Sequence, residues 1–288
     1  MENLHQKKEV PAHEKEYVEG LEHFLESSGE DTADIDGILE QFPIFAGPTL
    51  ENLKSKGSGR ILDIGSGNGA KAIHLARALQ GLGIEVMGDS REPKAEQREG
   101  LARNYQGENQ KFFGTASEQS LGEIQLDKKY DLALAIHSLY EFPRDGEEGL
   151  LSFDSLGDIV SDQGAGVIVI EHPEGDFQRM KHELYPTFGK KLPVSQSVVT
   201  KSLEAADVPY KVGEKIEFKF SLNEIINKPE SEIGKTMAFL FSDSLSDQSL
   251  TENDFQTIGR WVKGNVRRDD EGNSYLWTPD IAIWTFRK

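Results

Sequence analysis

Residues 60–76 read Arg-Ile-Leu-Asp-Ile-Gly-Ser-Gly-Asn-Gly-Ala-Lys-Ala-Ile-His-Leu-Ala, and they restrict the fold more than any other stretch. Ile61, Leu62 and Ile64 form a short apolar run that suits a buried strand. Gly65, Gly67 and Gly69 follow at alternate positions, and Ala72, Ile73, Leu75 and Ala76 then suit a helix packed back on a sheet. Strand, glycine turn and helix open a doubly wound α/β domain. Glycine is needed where the backbone takes positive φ or a ligand approaches the main chain closely. With Asp63 two residues before the first glycine, the turn predicts a cofactor site at Asp63, Gly65, Gly67 and Gly69. The alternative is a glycine turn that holds nothing. Dinucleotide loops more often read G-x-G-x-x-G, which this turn does not.

Further strands are expected at Ile84–Gly88, Lys111–Phe113, Tyr130–Ile136, Val167–Ile170, Tyr210–Phe220 and Ile281–Phe286. The fourth and fifth are apolar almost throughout, as in a parallel sheet covered on both faces. Helices are expected from Pro93 to about Tyr105, over 146–160, and at Gln178–Tyr185 and Gln196–Ala206. Residues 222–264 read mostly helical, at Leu222–Ile226, Ile233–Phe241 and Phe255–Val262. Before the glycine turn, Tyr17, Val18, Leu21, Phe24 and Leu25 make one apolar helical stripe. Helices are also expected at Thr32–Gln41 and Leu50–Lys56, with Pro43 and Gly47-Pro48 as breaks. The organisation that follows is a flexible tail (1–13), a helical cover (14–56), a cofactor-binding α/β domain (57–220), a mainly helical insertion on the substrate side (221–275) and the last strand (276–288).

The 288 residues carry a net charge of −18, which repels a phosphate backbone and argues against nucleic acid as a partner. The one basic cluster, Lys263, Arg267 and Arg268, is followed at once by Asp269, Asp270 and Glu271. No cysteine is present, so thiolate chemistry is excluded. Residues 1–16 lack the apolar core of a secretory signal, and no apolar run nears the roughly 20 residues of a membrane span. The expectation is a soluble cytoplasmic monomer acting on a small molecule.

Ligands of open α/β sheets lie beyond the carboxyl ends of the strands. The second strand ends near Asp89, Ser90 and Glu92, where a carboxylate can accept both hydroxyls of a ribose. The third ends at Thr115–Ser117, the fourth at Ile136, His137 and Ser138 followed by Tyr140 and Glu141, and the fifth at Glu171 and His172. With its unperturbed pKa near ~6.5, His137 is a candidate base at neutral pH, and Glu141 can orient it. Tyr140 and other aromatics can line a pocket for a cation. His74 reads as structural and His172 as a rim residue, and no zinc or iron spacing is present, so no metal is expected.

The Asp63-x-Gly65-x-Gly67-x-Gly69 pattern resembles the first motif of class I S-adenosylmethionine (SAM) methyltransferases. Glu92-Pro93-Lys94-Ala95-Glu96-Gln97 resembles the second motif of the histamine N-methyltransferase family. Tyr17-Val18-Glu19, Phe24-Leu25, Glu30, Phe42-Pro43 and the 130–140 strand with its Ile-x-x-Leu-Tyr ending are similar to that family as well. The resemblance implies a seven-stranded, mostly parallel Rossmann-like sheet, SAM as cofactor and a small amine as methyl acceptor. It places Gly65, Glu92, Gln97, Ser117 and Ile136 at cofactor contacts, with Asp89 competing with Glu92 for the ribose. It places Glu30 at the carboxylate for the substrate ammonium. His137 replaces the family's glutamine, Glu141 its second tyrosine, and Thr278-Pro279-Asp280 its asparagine region, so the acceptor need not be histamine. His137, Tyr140, Glu141 and Asp280 are thus candidate substrate contacts, and His137 and Glu141 candidate catalytic groups. Methylation of another small molecule, at oxygen or a ring nitrogen, a nicotinamide or flavin oxidoreductase, and a non-catalytic SAM-binding protein are the alternatives.

Overall fold

A computed structural model of the chain describes residues 24, 28–93, 95–117, 128–139, 142, 144–145, 150–153, 156–189, 193–241 and 250–287. They fall into two compact units. The larger is drawn from Glu30–Gln178, Val194–Phe218 and Thr278–Lys288. It begins with helices α1 (Glu30–Phe45) and α2 (Gly47–Lys56), followed by β1 (Ser58–Ile64) and α3 (Ala70–Gly81). Then come β2 (Glu85–Arg91), α4 (Ala95–Asn104), β3 (Phe113–Ser117), β4 (Tyr130–Ile136), β5 (Val160–Glu171), α5 (Gln196–Ala205), β6 (Tyr210–Ile216) and β7 (Asp280–Phe286).

The seven strands make one sheet in the order β3-β2-β1-β4-β5-β7-β6. The strands from β3 to β5 pair in parallel, and β7 runs antiparallel to both β5 and β6. This is the mostly parallel seven-stranded α/β sheet expected from sequence. Its order reverses between β1 and β4, so the glycine turn after β1 lies next to the end of β4. That is the crevice where doubly wound sheets bind ligands. Because β7 is antiparallel, its first residue lies at that same end, and Asp280 is paired with Glu171 at the end of β5.

Alternation of side chains explains how the sheet is covered on both faces. Leu132, Leu134, Val167, Val169, Ala282 and Trp284 face one core with Ile35, Ile38 and Phe42 of α1 and Leu75 and Leu79 of α3. Ala133, Ala135, Ile168, Ile170, Ile281 and Ile283 face the other with Val199 and Leu203 of α5. Trp284 is fully buried, its ring 5.4 Å from that of Phe42 and stacked at 6.4 Å on Phe45.

The smaller unit is drawn from Met1–Gly29, Arg179–Pro193 and Lys219–Trp277. Its helices Glu230–Thr236 and Glu252–Asn265 touch backbone to backbone, because a Cβ on Gly234 would stand 1.9 Å from the carbonyl oxygen of Phe255, and one on Gly259 equally close to that of Glu230. Phe24, the described member of the expected first apolar stripe, is buried against Phe220 and Phe239.

Several elements differ from the sequence expectation. The region before β7 also holds a three-stranded sheet of Arg267–Arg268, Ser274–Trp277 and Lys219–Ser221. The alternating run Tyr210–Phe220 is therefore two strands in two different sheets. Residues 222–227 form turns instead of a helix. The third strand begins where it was expected to end, with 107–111 a 3-10 turn before it. Of 146–160, Leu156–Ile159 is helical, Leu150–Leu151 pairs with Arg144–Asp145, and 146–149 and 154–155 lie outside the described residues. Pro43 sits in the last turn of α1 and does not end it.

Trp284→Ala would empty a filled layer and is expected to cost about 3–5 kcal/mol in denaturant unfolding. A loss below about 1 kcal/mol would show that α1 and β7 do not share this core.

Candidate active site

The turn after β1 is tied to the end of β2 by two backbone bonds, from the N–H groups of Gly65 (2.7 Å) and Ser66 (3.1 Å) to the carbonyl of Arg91. Gly65, Gly67 and Gly69 take φ of 66°, 54° and 79°, the left-handed region that favours glycine. A Cβ on Gly69 would also meet Leu101 at 2.4 Å and Tyr105 at 2.7 Å. The Gly67 N–H donates to Glu92 Oε2 at 2.8 Å, and the Glu92 N–H donates to the Ser117 carbonyl at 3.0 Å. Gln97 Oε1 lies 3.9 Å from the place a Gly67 Cβ would take. Gly65, Gly67, Glu92, Gln97 and Ser117 are thus brought together at the ends of β1, β2 and β3. Ile136, the last residue of β4, is buried.

Asp89 is placed elsewhere. It pairs with Leu62, three residues before Gly65, and its carboxylate accepts from the Tyr130 hydroxyl at 2.7 Å, with Arg60 and Lys128 each at 3.6 Å. Burial pushes the Asp89 carboxyl up, but the Tyr130 hydrogen bond and the cations Lys128 and Arg60 more than offset this and hold it below its ordinary value.

Asp63 is buried on β1 beside the turn. Desolvation raises its pKa from 3.8 to about 7; Ser66 and Lys71 oppose the rise and the Glu92 charge adds to it.

A second group of charges stands beyond β4 and β7. Glu30 and Asp34 lie one turn apart on α1, so both carboxylates fall on one face. Lys71, in the first turn of α3, donates to Asp34 Oδ2 at 2.6 Å and to Glu30 Oε1, with Asp31 at 3.7 Å. His137 follows β4 with φ of 52°, unusual for a side-chain-bearing residue and frequent at functional sites, while its N–H donates to the Val169 carbonyl. Its Nε2 lies 2.8 Å from Asp280 Oδ2, 3.3 Å from Glu30 Oε1 and 3.5 Å from Asp34 Oδ2. Asp34 and Asp280 are fully buried and Glu30 nearly so.

The structure brings together Glu30, His137 and Asp280, three of the candidate substrate contacts, and adds Asp34 and Lys71 to the cluster. The i, i+4 spacing of Glu30 and Asp34 is the one local signal that could have announced Asp34. His137 is a candidate base from sequence, on the ordinary imidazole value of about 6.5. Burial opposes its charge, but Asp280 and Glu30 outweigh burial and raise its pKa well above 6.5. An imidazole that keeps its proton at neutral pH is a cation and a donor, with no lone pair for a second proton. Glu30, Asp34, His137 and Asp280, from distant segments whose sequence spacing carries no metal pattern, each place a ligand atom within 4.8 Å of the others. Tyr140 and Glu141 lie outside the described residues. His74 meets Asp36 on an exposed surface, and His172 accepts the Glu174 N–H.

No family model and no curated protein matches the sequence. Among solved structures, the YcgJ protein of Bacillus subtilis is similar over 83% of this chain and 98% of its own, with a TM-score of 0.53 and 11% identity. A proposed methyltransferase from Bacillus halodurans is similar over 82% of this chain and 97% of its own, with a TM-score of 0.51 and 13% identity. Coclaurine N-methyltransferase bound to N-methylheliamine and S-adenosylhomocysteine matches with a TM-score of 0.44 and 13% identity, over 88% of this chain and 71% of its own. The first two share the fold; nothing in the three favours the histamine N-methyltransferase family in particular.

The raised pKa of Asp63 has a consequence for stability. Between 3.8 and about 7 the folded chain keeps a proton that the unfolded chain releases, so this residue's contribution falls as pH rises and is constant above about 7. The stability of Asp63→Asn relative to the parent is expected to climb over that window and then level off in denaturant titrations at several pH values. A difference independent of pH would contradict it.

Proposed function

We propose that the chain transfers a methyl group from SAM to a nitrogen of a small amine or imidazole-type molecule. The observation that carries this reading is the meeting of the glycine turn, Glu92 and Gln97 at the switch in strand order. The turn lets a ligand approach the backbone, and Glu92, directly after β2, supplies the carboxylate for a ribose. Asp89 is engaged by Tyr130 and is the weaker candidate. Asp63, once ionised, suits the ammonium of the cofactor's amino-acid end. The fold shared with the Bacillus halodurans protein agrees with this assignment.

The acceptor side is assigned to Glu30, Asp34, His137 and Asp280. The carboxyl groups of Glu30, Asp34 and Asp280, with Asp31 3.7 Å from Lys71, outnumber the two basic groups Lys71 and His137, which suits a cationic group of the acceptor. In the reaction a nitrogen lone pair attacks the methyl carbon, the carbon–sulfur bond breaks in line and its electrons stay on sulfur. Holding the two centres in that geometry is the main help an enzyme gives. With His137 already protonated, the reacting nitrogen must arrive neutral, and the role assigned to His137 and the carboxylates is to bind and orient.

Label from methyl-labelled SAM is expected to appear on nitrogen when a panel of small amines and imidazoles is tested and the methyl position is read by mass spectrometry. Glu30→Gln is expected to raise the acceptor KM about tenfold or more, the equivalent of about 1.4 kcal/mol, without changing SAM affinity. Tight SAM binding with no amine labelled would sink the acceptor assignment. Equal KM values would remove Glu30 from it.

A further inference from the structure

Two fully buried carboxylate oxygens in the charge cluster, Asp34 Oδ1 and Asp280 Oδ1, have no hydrogen-bond partner among the described residues. Each shares a carbon with the Oδ2 that faces His137, so an ion on that side completes the orphan by taking both oxygens of the carboxylate. Buried carboxylate oxygens are expensive to leave unmatched, and such an orphan asks for an ion or donor that completes it. From this and the ligand geometry we propose that Glu30, Asp34, His137 and Asp280 form a site for one divalent first-row transition ion.

The spacing fits an ion. Ligand atoms about 2.1 Å from a metal lie about 3.0 Å apart as neighbours in an octahedron and about 3.4 Å apart in a tetrahedron. His137 Nε2 lies 2.8, 3.3 and 3.5 Å from the three carboxylate oxygens. All four ligand atoms lie within 4.8 Å of one another, against about 4.2 Å across an octahedron. The charge fits as well. With His137 neutral as a ligand, the acidic groups outnumber Lys71, and a divalent ion offsets that excess. Lys71 need not leave: it donates to Glu30 and Asp34 and orients them, the outer role that such donors play at metal sites. Access is from the side of His137 and Lys71, whose side chains are 25% and 18% exposed against 7%, 0% and 0% for Glu30, Asp34 and Asp280. Three carboxylates with one imidazole suit manganese or zinc better than a soft metal. This inference does not depend on methyl transfer. An ammonium and an ion would use the same carboxylates, so each is expected to exclude the other.

The test uses the full chain, stripped of metal, without SAM or acceptor. Titration with Mn²⁺, and separately Zn²⁺, is followed by calorimetry and, for manganese, by the paramagnetic signal of the free ion. The expected result is one ion per chain. Asp34→Asn and Asp280→Asn are expected to weaken it about tenfold or more. Should the variants fail to fold, the nitrogen hyperfine coupling of Mn²⁺ bound to the parent chain decides: its presence places an imidazole on the ion. No stoichiometric binding of either ion, binding unchanged in both Asn variants, or bound manganese without nitrogen coupling would overturn the site.

Discussion

The bond from the Gly67 N–H to the Glu92 carboxylate holds the rest of the candidate site in register. It joins the turn after β1 to the residue that leaves β2, and the Glu92 N–H in turn reaches the end of β3. Three strand ends are locked by main-chain groups and one carboxylate. The turn can take this path because three of its residues adopt positive φ without a side-chain penalty. The first turn of α3, and with it Lys71, is positioned by the same turn. A ligand that engages Glu92 would meet a frame already set by the sheet.

The antiparallel last strand makes the second half of the site. Had β7 run parallel to its neighbours, Asp280 would stand at the opposite end of the sheet. Reversed, it begins where β4 and β5 finish, and its carboxylate meets His137. α1 brings Glu30 and Asp34 to the same place because its apolar residues Ile35, Ile38 and Phe42 dock on the sheet and turn the acidic face toward Lys71. Buried charges at such density are costly unless each is matched, which is why this cluster, and not the exposed acidic surface, carries the chemical expectation.

How much of this was legible in the sequence follows from chain distance. The glycine turn and Glu92 could be read because a strand, its turn and the next strand's end lie within one βαβ unit. β4 was found at its observed bounds because both faces are covered and seven consecutive residues are buried. The division of Tyr210–Phe220 was hidden, since alternation looks the same whichever sheet a strand joins. The charge cluster was hidden for a deeper reason. Glu30, Lys71, His137 and Asp280 come from four distant segments, and only the sheet order brings them together. His137 could be picked out as a strand-end residue, but its protonation state depends on Asp280, 143 positions away.

The assignment of SAM to the turn between β1 and α3, held through Glu92, underlies every other role proposed for these residues. Calorimetric titration of the full chain with SAM and with NAD, for the parent and for Glu92→Gln, tests it most directly. One SAM per chain is expected, with no comparable binding of NAD and a loss of about tenfold or more in SAM affinity on removing the Glu92 charge, at least about 1.4 kcal/mol. NAD binding in preference to SAM, or SAM binding indifferent to Glu92→Gln, would contradict it.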